Sequence, residues 1–463
     1  MKPKKGEVLV LLIGIILLLA NFFLIKIPPT LRRVNILESY ILKGAIFLIA
    51  LFLIIFSVIS LLSKNSFIFN PKTKKIAASI FITLSLVIIC LFLLEGFLQL
   101  TSQKSCQQQD PILHNSYRPN CFIRSKTMEW DITAQINSQG LRDEEVLAKE
   151  NYEYRILVLG DSLPAGWGVE HNQTYSEILQ QKLNQEKKVD VLNAAVTGYS
   201  PILEYLYLRE KGLEYEPDII ILNVDMGDIQ GDNHYSKLAK IDEEGRIIGV
   251  PQTEDSILMS LYKKSKVVKL LEVPLIILDA KIEPYVWGSE HFYELDYDSY
   301  MLTRGDIDQK EAEEYFATVF KHIKLIQELS EEKGIKLIIT TYPYGHQVSG
   351  DEWAKGRHNY GFENGKVYSD LPNKILEEFA EENNITFISM FKDFKESEAF
   401  PLYFPYDGHF NEEGHELAAE VLFNEIVGMD LFEEKTELLV KRENNSYWKA
   451  NGNILYNKTI IKS

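Results

Sequence analysis

The chain has 463 residues, of which 46% are hydrophobic and 25% are charged, and its formal net charge is −17. This length predicts two or three structural units, and the abundance of apolar and aromatic residues excludes disorder for most of the chain. Residues 1–100 carry a net charge of +8 and the remaining 363 residues carry −25. Because so acidic a domain repels phosphate backbones, we expect no nucleic-acid partner. The three cysteines exclude a disulfide-framework protein and a multi-cysteine zinc module.

Three uncharged apolar runs occupy residues 8–25, 44–63 and 76–94. Each is about as long as the ~20 residues with which a helix crosses a bilayer, and only helices and closed barrels satisfy their backbone groups in lipid. We therefore predict a membrane region over 1–100, with transmembrane helices at about 8–26, 43–63 and 76–96. A cleaved signal peptide is the alternative for the first run, but a small-residue cleavage site does not follow it.

The basic residues around these runs predict their orientation. Seven lie before the first run or between the second and third, against five in the first loop and after the third run. The positive-inside rule then places the amino terminus in the cytoplasm and everything after residue 100 outside it, as in a multi-pass protein of the cell membrane. In an oxidising compartment Cys106 and Cys121 either form a disulfide or remain two thiols, whereas Cys90 is assigned to packing.

Short apolar runs separated by amphipathic segments begin at about residue 154. The hydrophobic pattern predicts strands at 156–159, 189–192, 219–222, 335–340 and 385–388, and helices at 174–183, 312–329 and 413–423. Thr174 and Glu177 form a capping-box signal at the start of the first helix. Alternating strands and helices imply an α/β fold with a parallel sheet covered on both faces and its chemistry beyond the carboxyl ends of the strands.

The remaining segments define the predicted boundaries. Residues 101–153 are assigned as a connecting segment, 154–428 as the α/β domain and 429–463 as a polar tail. An insertion at about 229–307 is rich in Tyr, Asp and Glu, and either forms a solvated excursion or covers a substrate as a lid.

A serine follows the first predicted strand in the sequence Gly160-Asp161-Ser162-Leu163. A glycine permits the sharp turn that would lift the Ser162 hydroxyl above the edge of the sheet. Gly-Asp-Ser is also an ordinary turn composition, so its position at a strand end is what indicates a nucleophile.

A second motif, Asp407-Gly408-His409, lies on a loop before the last predicted helix. A serine nucleophile needs a base, and the base needs an acceptor that fixes its tautomer and stabilises its cation. His409 and Asp407 can supply both. The alternatives are an N-cap turn at Asn411 with a solvent-facing His409, and a metal site formed by Asp407, His409 and His415.

Two further blocks lie between these motifs, at 193–201 after the second predicted strand and at 217–228 around the third. With them, residues 154–428 resemble the SGNH (GDSL) hydrolase superfamily, whose four blocks occur in this order on a three-layer, flavodoxin-like parallel sheet. The resemblance implies that Ser162 is the nucleophile and that its own N–H and that of Gly198 stabilise an oxyanion. It also implies that Asp407 and His409 are the acid and the base.

The chain departs from this family at two places. Gly227 stands where the family offers an Asn side chain as a third oxyanion donor, whereas Asp228 is retained and is assigned a structural role. The last block reads Asp-x-His, the spacing of similar polysaccharide O-acetyltransferases. Tyr344 and His346, on the loop after the fourth predicted strand, are candidate substrate-binding residues, although their rings could equally pack in the interior.

The residues and the resemblance together predict a membrane-anchored serine ester hydrolase acting on O-acyl, including acetyl, esters of surface glycans or lipids. One alternative is an O-acyltransferase that passes the acyl group to a polysaccharide with the same residues, with a membrane acyl-transfer protein as a partner. Another is a non-catalytic glycan-binding or scaffold protein. We expect no cofactor, because a triad mechanism requires none.

Overall fold

The computed structural model describes residues 90, 91, 93–100, 105–185, 187–252, 265–268, 299–305 and 307–429. The first two predicted membrane helices, most of the third and nearly all of the predicted tail lie outside these ranges. Within them, no helix combines the length and the apolar character needed to cross a bilayer.

The chain forms two compact units, one of residues 1–104 and 254–292 and the other of residues 105–253 and 293–463. In the first unit, residues 93–100 are helical. The Glu95 carboxylate there accepts hydrogen bonds from the backbone N–H groups of Lys266 (2.9 Å) and Val267 (2.8 Å). These bonds satisfy amides at the start of the helical turn 266–268, which have no partner within that turn.

The second unit contains all the named strands and helices. Its strands are β1 (Gln107–Asp110), β2 (His114–Tyr117), β3 (Cys121–Lys126), β4 (Asp131–Ile136), β5 (Tyr154–Leu159), β6 (Val189–Asn193), β7 (Ile219–Asn223), β8 (Lys240–Ile241), β9 (Ile247–Gly249), β10 (Lys336–Thr341) and β11 (Thr386–Ser389). Its α-helices are α1 (Tyr175–Leu183), α2 (Pro201–Glu210), α3 (Gly227–Leu238), α4 (Met301–Arg304), α5 (Gln309–Lys333), α6 (Gly345–Val348), α7 (Leu371–Glu382), α8 (Phe391–Glu396) and α9 (Glu412–Gly428).

Five parallel strands form the central sheet in the order β6-β5-β7-β10-β11. In chain order this is 2-1-3-4-5, the flavodoxin-like arrangement. The predicted parallel α/β sheet is therefore confirmed, and each predicted strand differs from the observed one by no more than two residues at either end.

Helices cover both faces of the sheet because successive side chains of a strand point to opposite sides. In β5, whose six residues are all buried, Leu157 and Leu159 pack in a cluster with residues of α2, α3, α5 and α7. Ile156 and Val158 pack on the other face with residues of α1, α8 and α9. The unit thus has three layers, and the carboxyl ends of its strands form one open edge.

The predicted helix signals agree with the observed ends. Thr174 is the N-cap of α1, and its hydroxyl accepts a hydrogen bond from the Glu177 N–H at 3.4 Å. Asp308 caps α5 in the same way through the Glu311 N–H at 2.9 Å, so this helix is longer than predicted. Gly334 ends it in the left-handed conformation that favours glycine.

Two antiparallel hairpins, β1–β2 and β3–β4, lie in the segment that the sequence pattern assigns only as a connection. A disulfide between Cys106 and Cys121 joins the start of the first hairpin to the start of the second. Ile136 and Leu141 extend this segment into the core of the unit. The start of the predicted insertion is equally regular, since it forms most of α3 and the short hairpin β8–β9.

Candidate active site

Ser162 lies three residues beyond β5, at the open edge of the sheet. Gly160 makes the turn with φ +152°, and a Cβ there would lie 2.4 Å from Cγ of Pro164, so only glycine fits. The Asp161 carboxylate accepts the Leu163 N–H at 3.1 Å and stabilises the turn. The strand end therefore presents the Ser162 hydroxyl as the sequence predicts.

The structure brings the three predicted triad residues together. Ser162 Oγ lies 2.8 Å from His409 Nε2, although 247 residues separate them in the chain. The other ring nitrogen, Nδ1, hydrogen bonds to Asp407 Oδ1, which also accepts the His409 backbone N–H at 3.3 Å. With Nδ1 donating to Asp407, Nε2 is free to accept the proton of Ser162.

The acid and the base remain accessible from solvent. The side chains of His409 and Asp407 are 29% and 28% exposed. Partial burial acts to raise the pKa of Asp407, but the hydrogen bonds and charge of His409 and the neighbouring Trp167 side chain outweigh it, so this pKa lies below its ordinary value. Asp407 is therefore held as the carboxylate that a cationic His409 needs.

Trp167 is a residue of this site that the sequence pattern did not single out. Its side chain helps to lower the pKa of Asp407, and its ring centroid lies 6.0 Å from that of His409 at an interplanar angle of 41°. It follows the serine motif in an irregular stretch whose composition gives no signal for such a contact. The stretch itself is held by Arg142, a buried side chain that donates to the carbonyls of Ala165, Gly166 and Val169.

Two backbone amides near the nucleophile are available as donors. In the part of the chain that the structure describes, neither the Ser162 nor the Gly198 N–H hydrogen bonds to another protein group. Gly198 is exposed and has φ +83°, a conformation that favours glycine. The two predicted oxyanion donors therefore remain candidates for that role.

A buried network holds the loop that contains Gly198. The Gly198 carbonyl accepts a hydrogen bond from the Tyr235 hydroxyl at 2.8 Å. Ser200 Oγ donates to Asp232 at 2.7 Å, and the other oxygen of Asp232 pairs with His322 Nδ1 at 2.6 Å. Helices α3 and α5 thereby fix the position of this loop.

Gly227, at the position where the resemblance places a third oxyanion donor, lies against Asp225 in the structure. Its backbone N–H, the donor that this residue possesses, is bound to the carboxylate of Asp225. A Cβ at this position would lie 2.8 Å from Asp225 Oδ1 and 3.2 Å from the Tyr344 hydroxyl. The position expected to carry an Asn side chain is instead crowded by a carboxylate and a phenol.

Asp225 lies at the centre of a cluster of buried polar side chains beside Gly227. It accepts hydrogen bonds from the hydroxyls of Tyr342 and, at 3.2 Å, Tyr344. Burial and then the charge of Asp161 raise the pKa of Asp225 to about 6. Asp228 accepts the Asp225 N–H at 2.9 Å, in agreement with a structural role for Asp228.

The two candidate substrate-binding residues differ in accessibility. Tyr344 is partly buried, and its role in substrate binding stays a prediction. His346 is 0% exposed, its ring stacks on Phe362 at 3.8 Å, and its Nε2 lies 3.1 Å from the Thr303 hydroxyl. His346 is therefore packed in the interior, the second of the two possibilities that the sequence left open, because Phe362 and Thr303 contact its ring.

The alternative sites around His409 are not formed. His415 is buried, and its Nδ1 accepts the Tyr175 backbone N–H at 3.3 Å. Over the described ranges, no cluster of His, Cys, Asp and Glu side chains could hold a metal ion. Asn411 does cap α9, through the Gly414 N–H at 3.0 Å, but the partly exposed His409 ring is also hydrogen bonded to Ser162.

Comparison with known proteins gives matches among solved structures, whereas no family model and no curated protein matches the chain. A GDSL-like lipase from Bacteroides thetaiotaomicron is 15% identical, with a TM-score of 0.31 and coverage of 62% of this chain and 92% of the other. The lipase/acylhydrolase from Enterococcus faecalis is 16% identical, with a TM-score of 0.33 and coverage of 60% of this chain and 96% of the other. A catalytic mutant of an acetylxylan esterase from Geobacillus stearothermophilus is 15% identical, with a TM-score of 0.32 and coverage of 60% of this chain and 96% of the other. At these identities and TM-scores, the similarity by itself assigns neither a family nor an activity to the chain.

Proposed function

We propose that this protein is a serine ester hydrolase that removes O-acyl groups, acetyl among them, from surface glycans or lipids. The observation that carries the proposal is the 2.8 Å approach of Ser162 Oγ to His409 Nε2, with Asp407 bound to the opposite nitrogen of the same ring. A half-buried serine activated in this way can perform nucleophilic acyl transfer. A scaffold protein would have no need of this arrangement.

The geometry supports a two-step mechanism. Ser162 Oγ bonds to the ester carbonyl carbon as His409 takes its proton, and the carbonyl oxygen becomes an oxyanion facing the Ser162 and Gly198 amides. Collapse of this intermediate breaks the bond to the alcohol oxygen, to which His409 returns the proton. Water then attacks the acyl-serine, with His409 again accepting a proton, and the carboxylic acid leaves as Ser162 regains its hydrogen.

A fluorophosphonate probe tests the activated serine directly. We expect the purified full-length protein to be labelled, and Ser162→Ala and His409→Ala to lose labelling while keeping the wild-type melting temperature. Tyr175→Phe is a matched control, because it alters a buried hydroxyl outside the triad. A wild-type protein that is neither labelled nor active on acetyl esters would refute the proposal.

The same acyl-enzyme could be resolved by a sugar hydroxyl in place of water. Product analysis with an acetyl ester, with and without a glycan acceptor, separates the two reactions. Free acetate in both reactions identifies the hydrolase, and acetylated glycan formed at the expense of acetate identifies a transferase.

We further propose that the catalytic unit is extracytoplasmic and is anchored by the apolar segments within residues 1–100. The distribution of basic residues and the Cys106–Cys121 disulfide support this location, since disulfides persist in oxidising compartments. Alkaline phosphatase fused after residue 110 should be active in cells. An inactive fusion together with an active cytoplasmic reporter would reverse the topology.

A further inference from the structure

The tip of the β3–β4 hairpin contacts the loop that carries the acid of the triad. Glu129 Oε1 accepts the Tyr406 N–H at 2.8 Å, and its Oε2 accepts the Asp407 N–H at 2.9 Å. Each oxygen thus binds one of two consecutive backbone amides, an arrangement suited to an anion. The contact joins residues 278 positions apart in the chain.

Hydrogen bonds within the hairpin tip hold it in a defined conformation. Thr127 Oγ1 accepts the N–H groups of Glu129 (3.0 Å) and Trp130 (3.2 Å). The Trp130 indole donates to Ser125 Oγ at 2.8 Å, and its ring packs against Phe404 at 4.9 Å. These contacts fix the position of Glu129. Its neighbour Trp130 packs against Phe404, at the start of the loop that carries Asp407.

A second route leads from the hairpin to the triad. The rings of Trp130 and Trp167 meet edge to face at 6.3 Å and 77°. Trp167 in turn lies beside the ring of His409, at a centroid distance of 6.0 Å and an angle of 41°. The hairpin thus holds the backbone of Asp407 through Glu129 and supports the position of His409 through the two tryptophans.

We infer that Glu129 is a positioning residue for the catalytic acid, and that the hairpin before the first strand of the sheet is part of the catalytic apparatus. The inference rests on the proposed function, in which Asp407 must hold His409 in line with Ser162. Without the Glu129 carboxylate, the backbone amides of residues 406 and 407 would hydrogen bond to water, and the loop would sample other positions. Misplacement of a catalytic group by about 1 Å can cost about 10² in rate.

A graded series of substitutions tests this role in the full-length protein. Glu129→Gln keeps the shape but has one acceptor oxygen, so it retains one of the two bonds, whereas Glu129→Ala loses both. We expect the fluorophosphonate labelling rate and kcat on a soluble acetyl ester to fall about tenfold for Gln and up to about 10² for Ala, with KM nearly unchanged. The kcat loss without a KM change separates positioning from substrate binding.

Glu145→Gln is the matched control. The Glu145 carboxylate also binds through both oxygens, to the Ser138 N–H at 3.0 Å and the Ser138 hydroxyl at 2.5 Å, just beyond β4 and not at the triad loop. This variant should keep the wild-type labelling rate even where its melting temperature falls. Wild-type labelling and kcat in both Glu129 variants would overturn the inference.

A measurement that does not depend on turnover keeps this outcome separate from failure of the proposed function. The His409 Nδ1 proton, bound to Asp407, should give a downfield proton NMR signal that Glu129→Ala broadens or removes and Glu145→Gln preserves. If fluorophosphonate does not label the wild type but Glu129→Ala still removes its NMR signal, the positioning role is supported and the hydrolase is refuted. An unchanged signal in Glu129→Ala would refute the positioning role whatever the activity.

Discussion

The indole of Trp353 lies directly against Gly408, the residue between the acid and the base. A Cβ on Gly408 would lie 2.6 Å from both Nε1 and Cε2 of that indole. Trp353 Nε1 donates to the Tyr406 carbonyl at 3.0 Å, and Gly408 has φ +89°. The one-residue spacing of Asp407 and His409 thus depends on a glycine that is both left-handed and enclosed.

We therefore expect Gly408→Ala to lower kcat/KM by about 10² or more, because the displaced loop misaligns His409. Its free energy of unfolding should fall by about 1 kcal/mol for the left-handed backbone and a further 1–3 kcal/mol for the overpacking. Gly245→Ala is the matched control, since Gly245 has φ +81° and nothing within 4 Å of its added Cβ. Equal losses of stability in the two variants, with activity retained, would contradict this account.

Gly227→Asn tests whether a third oxyanion donor can be added. We expect no gain in kcat and a lower melting temperature, because the new Cβ would meet Asp225, which the Tyr342 hydroxyl holds in place. Gly227→Ala should show a comparable loss, since the Cβ is the cause. A folded Gly227→Asn variant with raised kcat would contradict this expectation. It would show that the Asp225 carboxylate can move aside and that the introduced side-chain amide donates to the oxyanion.

Removal of the disulfide should destabilise the second unit. The bond closes a sequence separation of 15 residues, for which chain entropy predicts about 3 kcal/mol of stability. Chemical denaturation of Cys121→Ser, or of the wild type with a reductant, measures the loss. Cys90→Ser should match the wild type, because Cys90 is a free thiol.

The buried His415 predicts a stability that declines in acid. Burial, with smaller contributions from Arg142 and His409, lowers its pKa to about 3, whereas the ring in the unfolded chain titrates near the ordinary 6.5. The stabilisation by the neutral ring is complete above the unfolded pKa and is lost as the pH falls toward 3. His415→Gln should flatten the dependence of the unfolding free energy between about pH 6 and pH 4 by about 1.4 kcal/mol per pH unit.

Exposed His234 provides the control for this measurement, and His234→Gln should keep the wild-type slope. His346, whose pKa burial also lowers to about 3, remains in both variants and contributes equally to each. A His415→Gln slope equal to that of the wild type would show that the ring is not held neutral.

The central sheet was predictable because its strands contain short apolar runs and are separated by helices with cap signals, as Thr174 shows. The nucleophile and its base were predictable because Ser162 and His409 each lie in a short local motif. The positions of Glu129 and Trp167 were not, since no local spacing relates them to Asp407. The alternation of Ile132, Ala134 and Ile136 is a strand signal that could have located the hairpin.

The burial of His346 could not be predicted, for a different reason. Its place on the loop after β10 correctly put the chain at the active edge of the sheet. The direction of the ring depends on Phe362 and Thr303, which come from other parts of the chain. Burial of an aromatic on a loop is therefore a tertiary property that the local sequence does not contain.

The strand order of the sheet also determines when the site can first exist during synthesis. The three strands made first lie side by side, and the last two join one edge in the order in which they are made. A nascent chain can therefore place Ser162 long before residues 407–409 leave the ribosome. Until they dock, the serine has no base and is a poor nucleophile. Newly made molecules would thus remain inert toward esters until the last helix closes the domain, and truncated products would keep the serine without its reactivity.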